Sequence, residues 1–199
     1  MVSQAPRAVL WDVMDTLVYD PFHEVIPAFL GLSFEELLAQ KHPRAWIDFE
    51  LGLTDEETMV KRFFRDGRSF DHAGLKAAMV ASYRWLDGME ALVAELANRG
   101  LPMYALSNYP TYYQLIEDKL ALSRYLDWRF VSCRTGVRKP DPRAYLTAAE
   151  ALSLTPAELL FIDDREGNCE GARAVGMAAI RFRDATSLRA ELGRHGLDG

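Results

Sequence analysis

The feature that most constrains the fold is a short apolar run, Ala8–Trp11, which ends on the acidic residue Asp12. The run lacks the spacing of an amphipathic helix, so it predicts a buried strand of a parallel sheet. In such sheets, ligands bind beyond the carboxyl ends of the strands. Asp12 is therefore predicted to lie at a ligand-binding edge, although an isolated acid in this place would equally well cap a turn.

In the second half of the chain, predicted strands and helices alternate. The strands are expected at residues 101–106, 128–132, 159–162 and 178–182, and the helices at 89–98, 112–122 and 143–152, through Ala172 and near Leu188. Repeated strand and helix units joined by short links indicate an α/β fold with a doubly wound, Rossmann-like parallel sheet. A chain of 199 residues is long enough for one such domain with an insertion.

The segment that follows the first strand has helical patterning instead. Ser33 and Thr54 each stand three residues before a glutamate, which is the signature of a capping box, and a third helix is expected at residues 72–83. We therefore predict a helical domain at residues 18–83, inserted into a core domain that consists of residues 1–17 and 84–199.

Composition and charge exclude several functions. The formal net charge of −6 offers no basic field to a phosphate backbone, so no nucleic acid partner is expected, and an anionic substrate requires local cations. Cys133 and Cys169 fit a reducing compartment and exclude a zinc cluster or a disulfide framework. No apolar run approaches about eighteen residues, so no membrane span is expected. We expect a cytoplasmic protein, or a plastid protein whose transit peptide has been removed.

Chemically reactive side chains stand at or just after the predicted strand ends. They are Asp12, Ser107, Lys139 in a loop, and the pair Asp163 and Asp164. In this order they resemble the haloacid dehalogenase superfamily of hydrolases, and the resemblance covers nearly the whole chain. It implies the α/β core of that superfamily, and it implies that the helical segment is its cap domain.

The resemblance also implies a phosphohydrolase that works through an aspartyl phosphate. Asp12 is the expected nucleophile, because a carboxylate stays ionised at neutral pH and its acyl phosphate can be opened by water. Lys139 is expected to neutralise Asp12 and the phosphate together, while Ser107 and Asn108 bind phosphate oxygens. The simpler alternatives are a solvated loop cation for Lys139 and a turn residue for Ser107.

A magnesium ion follows from the same resemblance. Two anions approach each other only when a cation lies between them, so a Mg²⁺ cofactor with oxygen ligands is expected. The expected ligands are Asp12, Asp164 and the backbone carbonyl of Met14, with Asp163 as a secondary acid beside them. Asn168 is expected to support these groups by hydrogen bonding.

The chain departs from the superfamily pattern at Met14. Most phosphatases of the superfamily carry a second aspartate there, two residues after the nucleophile, which protonates the leaving group and then activates water. A thioether transfers no proton, and the loss of a general acid typically costs about 10²–10⁴-fold in rate. Asp15 is the nearest substitute acid in the sequence. Water and the substrate are other proton sources, and Asp15 fits the role of a plain turn residue equally well.

The methionine at this position is shared with a narrower group, the flavin mononucleotide hydrolases of plant chloroplasts. The segments that resemble this group are 11–17, 20–22, 41–43, 49–50, 108–110, 116–120 and 138–142, together with Trp46. The resemblance implies that flavin mononucleotide (FMN) is split into riboflavin and phosphate. Phe22, Trp46, Phe49 and Tyr109 are then expected to offer aromatic surfaces to the flavin, although Trp46 and Phe49 also fit the core of a cap.

Two other functions fit parts of the pattern. A metal-independent dehalogenase of the 2-haloacid type uses an aspartate on a carbon centre and also lacks the second aspartate, but it has no use for Asp163 and Asp164. A catalytically silent binding protein with the same fold would bind phosphate or a nucleotide without turnover. The retained Asp12, Lys139 and Asp164 favour the enzyme.

Overall fold

Five parallel strands form one sheet at the centre of the protein. The computed structural model describes residues 5–197, and the strands lie in the order β3-β2-β1-β4-β5. Their bounds are Ala8–Trp11 (β1), Met103–Ser107 (β2), Asp127–Val131 (β3), Leu159–Asp163 (β4) and Ala178–Arg181 (β5). Along β1, Val9 and Trp11 belong to one apolar cluster and Ala8 and Leu10 to another, so both faces of the sheet are covered. This confirms the doubly wound α/β fold.

The position of β1 in the sheet places the candidate site. The strand pairs with β2 on one side and with β4 on the other, and Trp11 is aligned with Ala105 and with Ile162. Because the three strands are parallel and in this register, their carboxyl ends meet at one edge of the sheet. Asp12, which follows β1, therefore shares that edge with Ser107 and Asp163, the last residues of β2 and β4.

The segment between β1 and β2 is helical at first, as expected, but it contains more helices than the sequence indicates. The five helices before Gly88 are Val25–Leu30 (α1), Phe34–Gln40 (α2), Ala45–Glu50 (α3), Glu56–Lys61 (α4) and His72–Ser82 (α5). The prediction omits α1 and α3, which have six residues each. A helix this short spans fewer than two turns, so its apolar residues show no clear period.

Two helix starts test the capping signatures. Ser33 forms the expected capping box, because its hydroxyl accepts the N–H of Glu36 at 3.2 Å and its own N–H donates to the Glu36 carboxylate at 2.7 Å. The second start was wrongly assigned to Thr54. Asp55 is the N-cap of α4, and its carboxylate accepts the N–H of Thr58 at 2.8 Å.

Six further helices follow between Gly88 and Leu197, the last described residue. They are Met89–Asn98 (α6), Tyr113–Leu120 (α7), Ser132–Thr135 (α8), Pro142–Ala151 (α9), Glu166–Ala174 (α10) and Ala185–Arg194 (α11). The predicted helix at 112–122 ends earlier than expected, because Ala121 adopts a left-handed conformation with φ 51° before a 3₁₀ turn at Leu122–Arg124. The short α8 directly after β3 is not predicted, and its first residue, Ser132, falls in the predicted strand at 128–132.

Polar contacts connect the helical segment to the rest of the chain. The Ser132 hydroxyl donates to the carbonyl of Glu50 at 2.5 Å, and the Lys119 ammonium donates to the carbonyls of Val80 and Ala81, each at 2.7 Å. The division into a core domain and a cap domain at residues 18–83 stays a prediction, and residues 1–4 and 198–199 of that core lie outside the described residues. Among the helices of residues 5–197, none combines the length and apolar character that crossing a membrane requires.

A pair of leucine substitutions tests the packing of the sheet. Leu160 in β4 is fully buried, whereas the side chain of Leu53 is 69% exposed. We expect Leu160→Ala to lower the free energy of unfolding by about 2–5 kcal/mol, because it leaves a cavity in the central layer. Leu53→Ala, the same chemical change at the surface, should stay within about 0.5 kcal/mol. Urea unfolding followed by circular dichroism measures both, and equal losses would contradict this assignment of the core.

Candidate active site

A buried lysine holds two carboxylates at the carboxyl edge of the sheet. The Lys139 ammonium lies 2.8 Å from Oδ1 of Asp12 and 2.6 Å from Oδ2 of Asp163. All three residues are less than 10% exposed. A buried ammonium is stable only when it is paired, so the ends of β1 and β4 and the loop before α9 meet at one ionic contact.

The charges in this contact do not balance. Burial and then repulsion from Asp163 raise the pKa of Asp12 to about 8, and Lys139 only partly opposes that rise. Burial alone would lower the pKa of Lys139, but the combined attraction of Asp12 and Asp163 raises it. Burial and then Asp163 also raise the pKa of Asp164. Three carboxylates around one ammonium would carry an excess of negative charge, so full ionisation of Asp12 at neutral pH requires a further cation in the site.

The two adjacent acids, Asp163 and Asp164, are held differently. Both oxygens of Asp163 are occupied, since they accept hydrogen bonds from the amide of Asn168, at 2.9 and 3.0 Å, and one of them also accepts the N–H of Arg165. Asp164 is held through its backbone, whose N–H donates to the Thr16 hydroxyl at 3.1 Å. Its Oδ1 atom is buried and accepts no hydrogen bond from residues 5–197.

These groups fit a divalent cation. One carboxylate oxygen each from Asp12, Asp163 and Asp164 lies within 4.8 Å of the others. Carboxylate oxygens are the ligands that Mg²⁺ and Ca²⁺ prefer, and a buried oxygen without a partner, such as Oδ1 of Asp164, is what a bound cation would satisfy. Because Asp163 already accepts several hydrogen bonds, Asp12 and Asp164 are the more available ligands.

Ser107 and Asn108, the predicted phosphate-binding residues, are held differently: Asn108 contacts Lys139 and lines the cleft, whereas Ser107 ends β2 and is not a lining residue. The Ser107 hydroxyl is buried and has no hydrogen-bond partner in the described part of the chain, so it is free to bind an oxygen of a ligand. The Asn108 amide forms two bonds with the backbone of Lys139, donating to its carbonyl at 2.9 Å and accepting its N–H at 2.8 Å. Its side chain therefore fixes the loop that carries the lysine, a role that the sequence analysis did not anticipate.

A cleft with a volume of about 230 Å³ opens above this edge of the sheet. Its walls carry four cationic side chains beside the acids, in a protein whose net charge is −6. The lining residues include Asp12, Met14, Asp20, Phe22, Lys41, Trp46, Glu50, Asn108, Tyr109, Arg138, Lys139, Arg165 and Asn168. The local concentration of positive charge is the arrangement that an anionic substrate requires.

Three of the four predicted aromatic residues line the cleft. Phe22, Trp46 and Tyr109 do so. Phe49 does not; it is 3% exposed and packs edge to face against Trp46 and Tyr112, with ring centroids 6.0 and 5.2 Å away. The expectation that Phe49 contacts the substrate is therefore corrected to a packing role, because the side chain points into the apolar cluster behind the wall.

Sequence reasoning assigned no role to several residues of the wall. Glu50 is buried, accepts the indole N–H of Trp46 at 2.7 Å and lies 2.7 Å from the guanidinium of Arg138. Burial raises the pKa of Glu50 to about 7 in spite of Arg138. Lys41 and Arg165 also line the cleft. In the sequence, Arg138 directly precedes Lys139, and Arg165 directly follows Asp164. This adjacency is the signal that would have identified the two arginines.

Asp15 lies away from the position expected of a catalytic acid. It is not among the residues that line the cleft, and its backbone is left-handed with φ 54°. Its Oδ1 accepts the N–H of Asp20 at 3.0 Å, and its Oδ2 lies 3.9 Å from the imidazole of His23. Asp20, by contrast, lines the cleft together with Asp12 and Met14.

Comparisons with known proteins identify the family of the chain. A family model described as haloacid dehalogenase-like hydrolase matches residues 6–176. Flavin mononucleotide hydrolase 1 of Arabidopsis thaliana, described as chloroplastic, is 47% identical over 190 residues, which cover 96% of this chain and 78% of that protein. The sesquiterpene phosphatase astK of Aspergillus oryzae is 32% identical over 170 residues, 81% of this chain and 84% of that protein.

The fold also resembles solved structures. A HAD family enzyme of Bacteroides thetaiotaomicron, in complex with magnesium and inorganic phosphate, superposes with a TM-score of 0.73. The match covers 92% of this chain and 98% of that one at 20% sequence identity. At this identity the similarity concerns the fold.

Replacing the central lysine tests the ionic contact. We expect Lys139→Met to lower the free energy of unfolding by about 3–5 kcal/mol at neutral pH, because Asp12 and Asp163 stay buried without their cation. The loss should shrink on acidification, since protonated carboxyl groups need no counter-charge. Urea unfolding with a chelator present, at several pH values, measures it.

Lys61 provides the matched control, because its ion pair with Glu57 is exposed. Lys61→Met should change the free energy of unfolding by less than about 1 kcal/mol. A Lys139→Met variant as stable as Lys61→Met would contradict the central place given to the buried contact.

Proposed function

The chain belongs to the haloacid dehalogenase-like hydrolases, and on this premise we propose that it is a magnesium-dependent phosphohydrolase that cleaves FMN to riboflavin and phosphate. The observation that carries the proposal is the group of Asp12, Lys139 and Asp164 at the sheet edge. Asp12 lies 2.8 Å from the buried Lys139, and both line the cleft. The buried Oδ1 of Asp164, which has no hydrogen-bond partner among residues 5–197, belongs to a residue of the same acid cluster as Asp12. The flavin nucleotide is supported by the Arabidopsis hydrolase, and a phosphoester by both curated relatives.

Asp12 is the proposed nucleophile. One of its carboxylate oxygens attacks the phosphorus atom, the bond from phosphorus to the ribityl oxygen breaks, and an aspartyl phosphate is formed. Water then attacks the same phosphorus, the bond to Asp12 breaks, and phosphate is released. Lys139 is 2.8 Å from Oδ1 of Asp12 and holds the carboxylate in place, so little orientation has to be achieved during the reaction.

The phosphate group needs charge and hydrogen-bond donors around it. Lys139 lies next to the nucleophile, and the free hydroxyl of Ser107 lies at the end of the neighbouring strand. Preorganised donors of this kind stabilise the charge that develops in the transition state. The cations of Lys41, Arg138 and Arg165 in the cleft add a field that attracts the dianion.

The proposed metal ligands are Asp12, Asp164 and the backbone carbonyl of Met14, with Asp163 beside them. When bound there, Mg²⁺ supplies positive charge that lets the anionic phosphate approach the anionic nucleophile. Asp163 keeps Lys139 and Asn168 in position through its 2.6 Å and 2.9–3.0 Å contacts. Asn168 is thus proposed to act on the site through Asp163.

Phe22, Trp46 and Tyr109 are proposed to contact the flavin ring, because flat apolar side chains stack on flat aromatic ligands. A plastid or cytoplasmic location stays a prediction; the chloroplastic relative supports the plastid.

The two alternatives from the sequence analysis account for less of the site. A metal-independent dehalogenase leaves the unpartnered oxygen of Asp164 without a purpose. A silent binding protein needs no nucleophile held at 2.8 Å from a buried lysine. A phosphohydrolase uses both the Asp164 oxygen, as a metal ligand, and Asp12, as the nucleophile beside Lys139.

The direct test is phosphate release from FMN by the purified protein. We expect turnover with Mg²⁺ and none with a chelator, and p-nitrophenyl phosphate should be hydrolysed under the same conditions. Asp12→Asn should abolish both reactions, because an amide forms no acyl phosphate under these conditions. Hydrolysis of p-nitrophenyl phosphate but not of FMN would mean that the substrate is another phosphoester. Inactivity on both compounds would contradict the proposal that the protein is a phosphohydrolase.

Asp184→Asn is the matched control for this substitution. Asp184 is exposed and caps α11 by accepting the N–H of Ser187 at 2.8 Å, a bond that asparagine also accepts. Its variant should keep the activity and the thermal stability of the parent protein.

Replacing the unpartnered acid tests the metal site. We expect Asp164→Asn to raise the Mg²⁺ concentration needed for half-maximal activity by at least about 10-fold, since an anionic ligand is lost from the site. The thermal midpoint should change little in the presence of chelator, because Oδ1 of Asp164 accepts no hydrogen bond from any residue that the structure describes. An unchanged magnesium titration would place the ion elsewhere.

A further inference from the structure

The departure at Met14 leaves the proposed reaction without an obvious acid. The ribityl oxygen would leave as an alkoxide, which is a poor leaving group unless a proton reaches it as the bond to phosphorus breaks. Met14 is 7% exposed and lines the cleft, but its thioether carries no proton. The inference that follows rests on the proposed function and identifies which side chain of this chain supplies the proton.

Three carboxyl groups line the cleft, those of Asp12, Asp20 and Glu50. Asp12 is the proposed nucleophile. Glu50 accepts the indole N–H of Trp46 at one oxygen, and its other oxygen lies 2.7 Å from the guanidinium of Arg138 in an ion pair without a hydrogen bond, so this carboxylate serves as the counter-ion of Arg138. Asp20 is the remaining carboxyl group, since it is neither the nucleophile nor the partner of an arginine in the wall.

The backbone around Asp20 fixes its carboxyl group. Oδ1 accepts the N–H of Phe22 at 2.9 Å, and the N–H of Asp20 donates to Oδ1 of Asp15 at 3.0 Å. Oδ2 receives no hydrogen bond from residues 5–197. The side chain is therefore oriented at one oxygen and available for proton transfer at the other.

We propose that Asp20 is the general acid and base of this enzyme, in place of the residue replaced by Met14. In the first step the proton on Oδ2 of Asp20 moves to the ribityl oxygen while the bond from that oxygen to phosphorus breaks and the bond to Asp12 forms. In the second step the Asp20 carboxylate takes a proton from the water that attacks phosphorus, and the bond to Asp12 breaks. Asp20 ends the cycle protonated, Asp12 ends it ionised, and one water has been consumed.

The electrostatic surroundings of Asp20 suit proton transfer near neutral pH. Burial is the main cause that raises its pKa to about 6, the Phe22 N–H opposes the rise, and the negative charge of Asp15 adds to it. His23 and Arg165 lower the pKa, and the hydroxyls of Tyr83 and Tyr109 are the other titratable groups close enough to interact. An acid of this strength is protonated often enough to donate and basic enough to accept.

Asp15 then has a different role from the one its place in the sequence suggests. Its carboxylate holds the N–H of Asp20 and does not line the cleft, so it is a positioning residue. Asparagine at position 15 would keep the accepting oxygen. The proposal therefore separates the two acids by experiment, because Asp15→Asn preserves the proton donor and Asp20→Asn removes it.

The test measures how the first step depends on the leaving group, in single-turnover experiments with Mg²⁺ and excess enzyme. We expect Asp20→Asn to slow the formation of riboflavin from FMN by about 10²–10⁴-fold. The burst of nitrophenolate from p-nitrophenyl phosphate should fall by less than about 10-fold, because that leaving group needs no proton. A series of aryl phosphates should show a shallow dependence on leaving-group pKa in the parent and a steep one in Asp20→Asn.

The parent protein and three further variants make the outcome decisive. Asp15→Asn and Glu50→Gln should keep the shallow leaving-group dependence of the parent, and Asp184→Asn should keep its rates. A steep dependence in Asp15→Asn or Glu50→Gln, or a shallow one in Asp20→Asn, would overturn the assignment of Asp20. A parent protein inactive on FMN and on every aryl phosphate would instead overturn the proposed function.

Thermal unfolding shows that a slow Asp20→Asn variant is folded, since asparagine keeps the bond to the N–H of Phe22. The pH profile provides a second readout. In the parent, single-turnover cleavage of FMN should decline as the pH rises above about 6, because the protonated form of Asp20 is lost. Asp20→Asn should lack that decline, and a decline of the same size in the variant would contradict the proposal.

Discussion

The burial of one ammonium between two carboxylates is the constraint on which the rest of the structure depends. Lys139 can remain in an interior from which water is excluded only because Asp12 and Asp163 lie within 2.8 Å of it. Those partners come from the ends of two adjacent parallel strands. The register of the sheet, the course of the loop before α9 and the hydrogen bonds of Asn108 all serve to keep this contact closed.

The part of the site built on the sheet was predictable from the sequence. A buried parallel strand is a short apolar run, so its end is visible as the first polar residue, and Asp12, Ser107 and Asp163 were found in this way. Parallel topology then brings those ends together without further information. Lys139 does not stand at a strand end, because a short helix that was not predicted separates its loop from β3. The order of the motifs along the chain identified it instead.

The wall of the cleft was less predictable, because tertiary contacts between distant segments create it. Glu50 and Arg138 pair across the gap between α3 and the loop before α9, and no local pattern announces such a pair. Phe49 and Trp46 belong to the same short helix, yet only Trp46 reaches the cleft. On so short an element, the sequence does not show which of two neighbouring aromatic residues faces a ligand.

The Ser132 hydroxyl connects the wall of the cleft to the edge of the sheet. It donates to the carbonyl of Glu50 at the end of α3 and accepts the N–H of Tyr109 from the loop after β2. One buried hydroxyl thus sets the spacing between the end of α3 and the loop after β2, and with it the width of the cleft between Glu50 and Tyr109.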